Sequence, residues 1–290
     1  MDIIEAVNAN NVEELRKLIK AGADVNFMDA IGKCAPLHIA VGDGYFECFN
    51  ELIAAKADLE VQFYNNQTPL HLAAEYGKVE MMKTLLDAGA NIYALDDHDQ
   101  QPLHLACGTT KYSNPECIDI LIKAGADVNA PSDYGTALIL AASSGDANVV
   151  EKLIQAGAYV NTQDQSLNTP LHYAVLTSSP QMCQNLIDAG ANLNNQNFRG
   201  ETPLHTFHYV ATAQLVPTSD EKTKECASIL IKAGADLHVL NNESKTPEDL
   251  EGVINVFRDA RIAKEKSDLE KEGQQNLPDR PTPRISRGRL

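Results

Sequence analysis

Apolar residues recur along this chain at helical spacing, in short stretches that polar turns separate. Val79, Met82 and Leu85 lie three residues apart, which predicts an amphipathic helix with one buried face. Gly89 follows, and a glycine there is typical of a helix that ends in a left-handed residue. The polar stretch 91–101 then predicts a loop. This part of the chain is therefore expected to form a helix, a tight turn and an exposed connection.

The apolar stretch before this helix begins with TPLHLA at residues 68–73. Thr68 is suited to the N-cap position, where its hydroxyl can accept a free backbone N–H. Pro69 would follow at the first helical position, where its missing N–H costs nothing. Leu70 and Ala73 share one helix face, and the small Ala73 would admit a neighbouring helix closely. The hexapeptide therefore predicts the start of a second helix that packs against others.

This hexapeptide recurs with a nearly constant period. Its proline position is occupied by Pro36, Pro69, Pro102, Ala137, Pro170, Pro203 and Pro247, at intervals of 33, 33, 35, 33, 33 and 44 residues. A second motif, Ala-Gly-Ala followed by Asp or Asn in most copies, runs in phase with it about twenty residues later. Lys56 replaces the glycine in one copy, where a left-handed conformation would cost about 1 kcal/mol.

A period of 33 residues with T-P-L-H-x-A resembles the ankyrin-repeat family, from the start of the chain to about residue 262. The resemblance implies an all-α solenoid of about eight helix-pair units, including degenerate caps, joined by β-hairpin-like loops. The units are expected near residues 1–32, 33–65, 66–98, 99–133, 134–166, 167–199 and 200–243, with a cap at 244–262. Residues 263–290 are charged and rich in Pro and Arg, which predicts a disordered tail.

The unit at 200–243 departs from the pattern. It carries eleven extra residues around 208–220, and Phe207 replaces the small residue that Ala73 supplies in its own unit. We expect either a wedge between inner helices or a lengthened helix over Leu204–Leu215. Long loops on a repeat scaffold are often binding sites. An enzyme site in the insertion is an alternative, although about eleven residues are too few to build a pocket.

Composition and charge narrow the function classes. The formal net charge is −16 with a pI near 4.8, which argues against binding to nucleic acid or to an anionic membrane. Six single cysteines predict reduced thiols in a cytoplasmic compartment. The sequence has no uncharged apolar run of eighteen residues and no Sec-type leader, so neither a membrane span nor a signal peptide is expected.

Eight histidines invite a catalytic or metal interpretation. Five of them are the fourth letter of the repeat motif, and the resemblance implies that their imidazoles bridge neighbouring loops: His38, His71, His104, His172 and His205. His205, His208 and Cys226 are too few for a zinc site. Because no phosphate loop or catalytic motif occurs, we predict no enzyme activity, no cofactor and no metal.

The Asp and Asn residues of the loops are predicted to be structural. Each Ala-Gly-Ala motif is followed by a short polar turn, and a side chain there would stabilise the loop rather than take part in catalysis. The residues concerned are Asp24, Asp58, Asp127 and Asp236, with Asn26, Asn129, Asn161 and Asn194.

The resemblance implies a binding groove on the concave side of the solenoid, formed by hairpin tips and inner helices. We predict that the groove binds a protein partner, with a basic segment favoured by the acidic chain, and that the protein is monomeric. Aromatic residues and Arg are frequent anchors of such interfaces. The predicted contact residues are Tyr64, Glu75, Tyr76, Asp97, His98, Tyr134, Leu176, Phe198, Arg199 and Tyr209. In the alternative interpretation the rings only stack on neighbouring loops.

Two further hypotheses concern the C-terminal tail. Its four arginines could form a sorting signal, or could bind a partner or the acidic body. The Asn- and Lys-rich composition and the polar C-terminus also resemble bacterial effectors exported into a host cell cytosol without a Sec signal. A cytoplasmic scaffold or inhibitor in its own cell is the competing interpretation, and the sequence does not choose between them.

Overall fold

The computed structural model describes residues 1–28, 34–108, 115–212, 221–250, 257–258, 260–262, 264–266 and 269. Its α-helices are α1 (Ile3–Asn8), α2 (Val12–Lys20), α3 (Pro36–Asp43), α4 (Phe46–Ala54), α5 (Pro69–Glu75), α6 (Val79–Asp87), α7 (Pro102–Gly108), α8 (Pro115–Lys123), α9 (Ala137–Ser144), α10 (Ala147–Gln155), α11 (Pro170–Leu176), α12 (Pro180–Asp188), α13 (Phe207–Thr212) and α14 (Glu221–Ala233). Short 3₁₀ turns occur at Tyr64–Asn66 and Pro247–Asp249. The described part of the chain contains no β-strand.

The TPLH motif begins the first helix of a pair, which we call the inner helix, as its residues predict. The histidine of the motif also takes part in capping this helix. Thr68 is the N-cap of α5 in an extended conformation, and Pro69 is its first residue. His71 Nδ1 accepts the backbone N–H of Thr68 at 3.2 Å and lies 2.9 Å from the Thr68 hydroxyl. The imidazole therefore supplies the acceptor that a glutamate supplies in a capping box.

The outer helices end at the predicted left-handed residues. Gly89 has a φ of +93° directly after the C-cap of α6, and Gly157 has a φ of +91° after α10. Lys56 adopts the same conformation, with a φ of +60°, although it carries a Cβ. The sequence-based expectation of a left-handed lysine is confirmed.

The helices form two layers. The odd-numbered inner helices from α1 to α13 contact their neighbours in order, and each of α1, α3, α5, α7, α9 and α11 also packs on the outer helix that follows it. One apolar cluster extends through the stack, and small residues such as Ala73 and Ala174 are fully buried where inner helices meet. The expected all-α solenoid of helix pairs is confirmed.

Among the described residues, the loops that lead into several inner helices form hairpin-like fingers. In the finger of residues 164–168, the Asp164 N–H donates to the Asn168 carbonyl at 3.0 Å. Asp164 Oδ1 accepts the N–H groups of Ser166 and Asn168, which closes the turn. The same arrangement occurs at the fingers that begin with Asp96, Asn197 and Asn241.

The irregular unit differs from its prediction at the helix start. One of the two expectations is a lengthened helix over Leu204–Leu215, but α13 begins at Phe207 and residues 203–206 form a turn. Successive bonds from each N–H to the carbonyl three residues earlier, including Thr206 to Pro203 at 3.2 Å, wind this segment more tightly than an α-helix. Residues 213–220 lie outside the described residues, so the predicted end of this helix is not described.

Phe207 is accommodated by a second phenylalanine from the C-terminal cap. Its side chain is only 1% exposed, and its ring meets Phe257 edge-on with the centroids 5.6 Å apart. The large residue therefore serves as a packing contact with the cap. Of the predicted tail, only 264–266 and 269 belong to the described residues, and all four are helical.

Candidate binding surface at the fingertips

Backbone hydrogen bonds join the tips of successive fingers. In each case an N–H of one finger donates to a carbonyl of the finger before it. The bonds run from Asp97 to Asn65 (2.9 Å), Asp133 to His98 (3.0 Å), Phe198 to Ser166 (3.0 Å) and Asn242 to Arg199 (3.0 Å). These bonds hold the tips in a fixed register along much of the stack.

The motif histidines bridge neighbouring units below the tips. Because His71 Nδ1 accepts a hydrogen bond from Thr68, its Nε2 carries the proton and donates to the Gln100 carbonyl at 3.0 Å. The equivalent contacts are His38 to Gln67 (3.3 Å), His104 to Ala130 (3.0 Å), His172 to Glu201 (3.0 Å) and His205 to Lys245 (3.1 Å). The bridging role that the resemblance implied for these five residues is confirmed.

Burial controls the protonation of these imidazoles. It lowers the pKa of His71, His104, His172 and His205, although their hydrogen bonds to carbonyls oppose the shift. The pKa of His38 falls to about 4 for the same reason. His38 follows Ala35 rather than a threonine, and its Nδ1 has no partner. These histidines are neutral structural groups at pH 7.

A third set of contacts links the loops at the outer-helix end. Asn129 Oδ1 accepts the Tyr159 N–H at 2.8 Å, and Asn129 Nδ2 donates to the Gly157 carbonyl at 3.1 Å. The side-chain oxygens of Asn26, Asn161 and Asn194 accept N–H groups of the next unit in the same way. Asp24, Asp58, Asp127 and Asp236 each accept the N–H two residues later. The structural role predicted for these residues is confirmed.

Six of the predicted contact residues lie at the tips and define what we name the fingertip surface: Tyr64, Asp97, His98, Tyr134, Phe198 and Arg199. Tyr64, Tyr134 and Phe198 are 73%, 49% and 58% exposed. Rings of neighbouring fingers do touch, because the His98 ring lies 5.0 Å from the Tyr134 ring in a tilted arrangement, with 58° between the ring planes. This contact nevertheless leaves about half of Tyr134 accessible.

Arg199 is held by its own finger and by α13. Its Nη1 donates to the Tyr209 hydroxyl at 2.5 Å, and that hydroxyl donates to Glu201 Oε1 at 2.9 Å. The guanidinium lies 5.5 Å from the centre of the Phe198 ring and 5.8 Å from that of Tyr209. Burial and the bond to Glu201 raise the pKa of Tyr209. Arg199 therefore belongs to a hydrogen-bond network with Tyr209 and Glu201, and it remains exposed to solvent.

The remaining predicted residues lie on or beside inner helices. Glu75 is half-buried at the end of α5, and burial raises the pKa of its carboxyl. Tyr76 caps the same helix and packs against the core. Leu176 ends α11 and is 36% exposed. Substitution of Tyr76 would therefore disturb core packing, whereas substitution of the three tip rings would not.

Sequence reasoning missed a cleft between the fingers that precede α9 and α11. It encloses about 290 Å³, and Asp133, Tyr134, Ile139, Leu140, Asp164 and Tyr173 line it. Only Tyr134 of these was predicted as a contact. A signal was present in the sequence, since Gly125 and Ala137 are 12 residues apart whereas Gly157 and Pro170 are 13 apart. The finger before α9 is thus one residue shorter.

Histidine and cysteine side chains among the described residues lie in structural surroundings. The described residues contain no group of three His, Cys, Asp or Glu that could hold a metal ion, and His205 is engaged by Thr202 and Lys245. Burial raises the pKa of the Cys117 thiol to about 11 and also raises that of Cys107, so both are poor nucleophiles. No helix among the described residues is long and apolar enough to cross a membrane.

Comparison with known protein families matches this architecture. A family model described as ankyrin repeats in three copies matches residues 3–96, 93–164 and 138–241. These matches together cover residues 3–241, which include the fourteen α-helices named above for the described residues. The chain therefore belongs to the ankyrin-repeat family.

Proposed function

We propose that this protein binds a basic protein segment through the fingertip surface and the adjoining ends of the inner helices. Ankyrin repeats are generally protein–protein interaction modules. The observation that carries the proposal is the set of exposed rings at Tyr64, Tyr134 and Phe198, on fingers of fixed geometry.

Rigid exposed rings are favourable contacts. A Tyr or Phe buries a large area while losing only two side-chain torsions, and such residues are frequent in interface hot spots. The backbone bonds between fingers and the imidazole bridges already fix the tip positions. A partner would therefore order few loop residues on binding, which lowers the entropic cost of association.

Charge favours a basic partner. Asp97 and Asp133 occupy equivalent tip positions, and both are exposed. Arg199 is the one cation among the ten predicted contacts, and it is already paired with Tyr209. With a net charge of −16 on the whole chain, complementary charges would speed association and discriminate against acidic partners.

The test is affinity capture from cell lysate with a triple variant, Tyr64→Ala/Tyr134→Ala/Phe198→Ala, followed by mass spectrometry. All three rings are exposed, so their loss leaves the core intact. The control is Tyr93→Ala/Tyr159→Ala, which removes two exposed rings at the outer-helix end of the loops. We expect the control to retain the partner and the triple variant to lose it. Full recovery by a folded triple variant would contradict the proposal.

The tail hypotheses remain predictions, since residues 270–290 lie outside the described part of the chain. Deleting residues 264–290 distinguishes them from fingertip binding, because a fingertip partner is retained by the truncated protein. The effector interpretation predicts in addition that a translocation reporter depends on the last thirty residues. A cytoplasmic scaffold or inhibitor predicts no such dependence.

A further inference from the structure

We propose that the cleft between the fingers that precede α9 and α11 accepts an arginine side chain of the partner. This inference rests on the proposed function, because the cleft opens beside Tyr134 of the fingertip surface. It specifies which side chain the surface selects and where that side chain binds.

The row of tip-to-tip hydrogen bonds is interrupted at this cleft. By analogy with the other fingers, the Gln165 N–H should donate to the Tyr134 carbonyl. Within residues 115–212 no hydrogen bond joins these two groups, although bonds at 3.0 Å are present on both sides, at Asp133 and at Phe198. One backbone donor and one backbone acceptor are thus available at the mouth of the cleft.

Two sequence changes explain the interruption. The finger before α9 lacks one residue, at the position that supplies the carbonyl acceptor for a histidine in most other units. Ile139 also replaces the histidine of its own unit, so no imidazole donates to the Asn168 carbonyl. The two units remain joined through the hydroxyls of Thr136, the N-cap of α9, and Thr162, which lie 3.2 Å apart. The loss of two bridges in one place leaves room between the fingers.

Glycine at position 135 keeps the short finger compatible with Ile139. Its φ is +100°, and a Cβ there would lie 3.1 Å from the Ile139 side chain. A larger residue would press against the floor of the cleft and would also be strained. The opening is thus maintained by a specific combination of residues, Gly135 with Ile139.

Three kinds of side chain line the cleft: apolar, aromatic and acidic. Ile139 and Leu140 provide an apolar floor, and the Tyr134 and Tyr173 rings border it. Asp133 and Asp164 contribute carboxylates. The Tyr173 hydroxyl donates to Asp164 Oδ2 at 2.5 Å, and Asp164 Oδ1 accepts two backbone N–H groups. Asp164 is therefore held in one orientation as a fixed negative charge.

This combination fits a guanidinium on an aliphatic stem. The stem can lie on Ile139 and Leu140, while the planar head can stack on Tyr134. Asp133 is exposed, so its carboxylate can accept from a ligand; its Oδ2 also lies 3.6 Å from His98 Nδ1, which leaves Oδ1 for the ligand. The Tyr134 carbonyl supplies a second acceptor. Arginine presents five N–H donors in a plane and suits two acceptors better than lysine, whose ammonium is a point charge.

The experiment titrates the full-length protein with N-acetyl-arginine methylamide and follows the Ile139 methyl and Gln165 amide signals by NMR. The lysine analogue tests the head group, and the citrulline analogue tests the charge at nearly constant shape. We expect the arginine probe to shift both signals and to bind about tenfold or more tightly than the citrulline probe, since charged hydrogen bonds are the stronger ones.

Matched variants locate the effect. Asp133→Asn should weaken the arginine probe about tenfold. Asp87→Asn removes an exposed carboxylate at the end of the outer helix α6, away from the fingertip surface, and should leave the probe's affinity unchanged. Equal binding of arginine and citrulline probes, or equal loss in both variants, would overturn the inference. The proposed function is judged separately by partner recovery with the triple alanine variant, which can succeed even if no arginine enters this cleft.

Discussion

The motif histidine performs two structural tasks at once. In His71, Nδ1 accepts the backbone N–H at the start of its own helix, and Nε2 donates to a carbonyl of the next finger. Both tasks require a neutral imidazole in the Nε2–H form. This explains why residues that look catalytic in the sequence belong to the scaffold.

The neutral histidines make stability depend on pH. Burial lowers their pKa in the folded state, whereas the unfolded chain has an ordinary pKa near 6.5 and takes up protons first. Stability is therefore full above about pH 6.5 and falls as the pH drops toward the folded pKa, about 4 for His38. Each buried histidine contributes at most about 1.4 kcal/mol per pH unit.

Urea unfolding between pH 7.5 and 5 measures this dependence. We expect the midpoint to fall with pH, and His172→Gln to lower the midpoint at pH 7.5 and flatten the fall. His238 is exposed, so His238→Gln should reproduce the wild-type curve. A midpoint that stays constant across this range would contradict the neutral-imidazole assignment.

Lys56 offers a stabilising substitution. Its φ of +60° is costly for a residue with a Cβ, so Lys56→Gly should stabilise the protein by about 1 kcal/mol. The reverse change, Gly157→Lys, meets no atom within 4 Å of the added Cβ and should cost a similar amount through the backbone alone. Thermal unfolding of both variants checks this, and equal shifts in the same direction would contradict it.

At the scale of elements, Phe207 and Phe257 join the irregular unit to the C-terminal cap. Phe257 is 1% exposed, so Phe257→Ala should cost about 3–5 kcal/mol. Phe198→Ala removes an exposed ring of the same size and should cost much less. Because the rings of Phe207 and Phe257 meet edge-on, the double alanine variant should lose about 0.5–1.5 kcal/mol less than the sum. Strict additivity in urea unfolding would contradict the contact.

Much of this architecture was predictable because each repeat encodes its own start and stop. Pro69 and Gly89 act locally, so their effects are visible in sequence. The contact of Phe207 with Phe257 was not, since Phe257 lies 50 residues later and leaves no signal in the local sequence. The cleft depends on one missing residue between Gly125 and Ala137. This change of spacing does not alter the repeat motif itself, so it was overlooked.

At the candidate site, the sequence predicted accessible aromatic residues correctly at the fingertips but not on the inner helices. Tyr64, Tyr134 and Phe198 are accessible, whereas Tyr76 packs on the core. Finger position can be inferred from repeat phase, but the depth of a side chain depends on how adjacent helices pack. Asp164 and Tyr173 were missed for this reason, because their bond joins a finger to an inner helix.

At the scale of the whole molecule, the fingers form an acidic, aromatic strip on a chain with a net charge of −16. The affinity for a basic partner should therefore fall as ionic strength rises. At physiological salt the Debye length is about 8 Å, so the attraction between exposed charges farther apart than this is already largely screened, and more salt shortens this distance. Surface plasmon resonance at increasing NaCl measures this fall, and it should appear mainly in the association rate. An affinity independent of salt would contradict a charge-assisted interface.

Site-specific photo-crosslinking tests the central claim, that the fingertips contact the partner, most directly. A benzophenone amino acid replaces Phe198 in one variant and Tyr159, on the outer-helix end of another loop, in a second variant; both positions are exposed. Irradiation in lysate should attach the captured partner at position 198 and not at position 159. Crosslinking at position 159 alone would contradict the account.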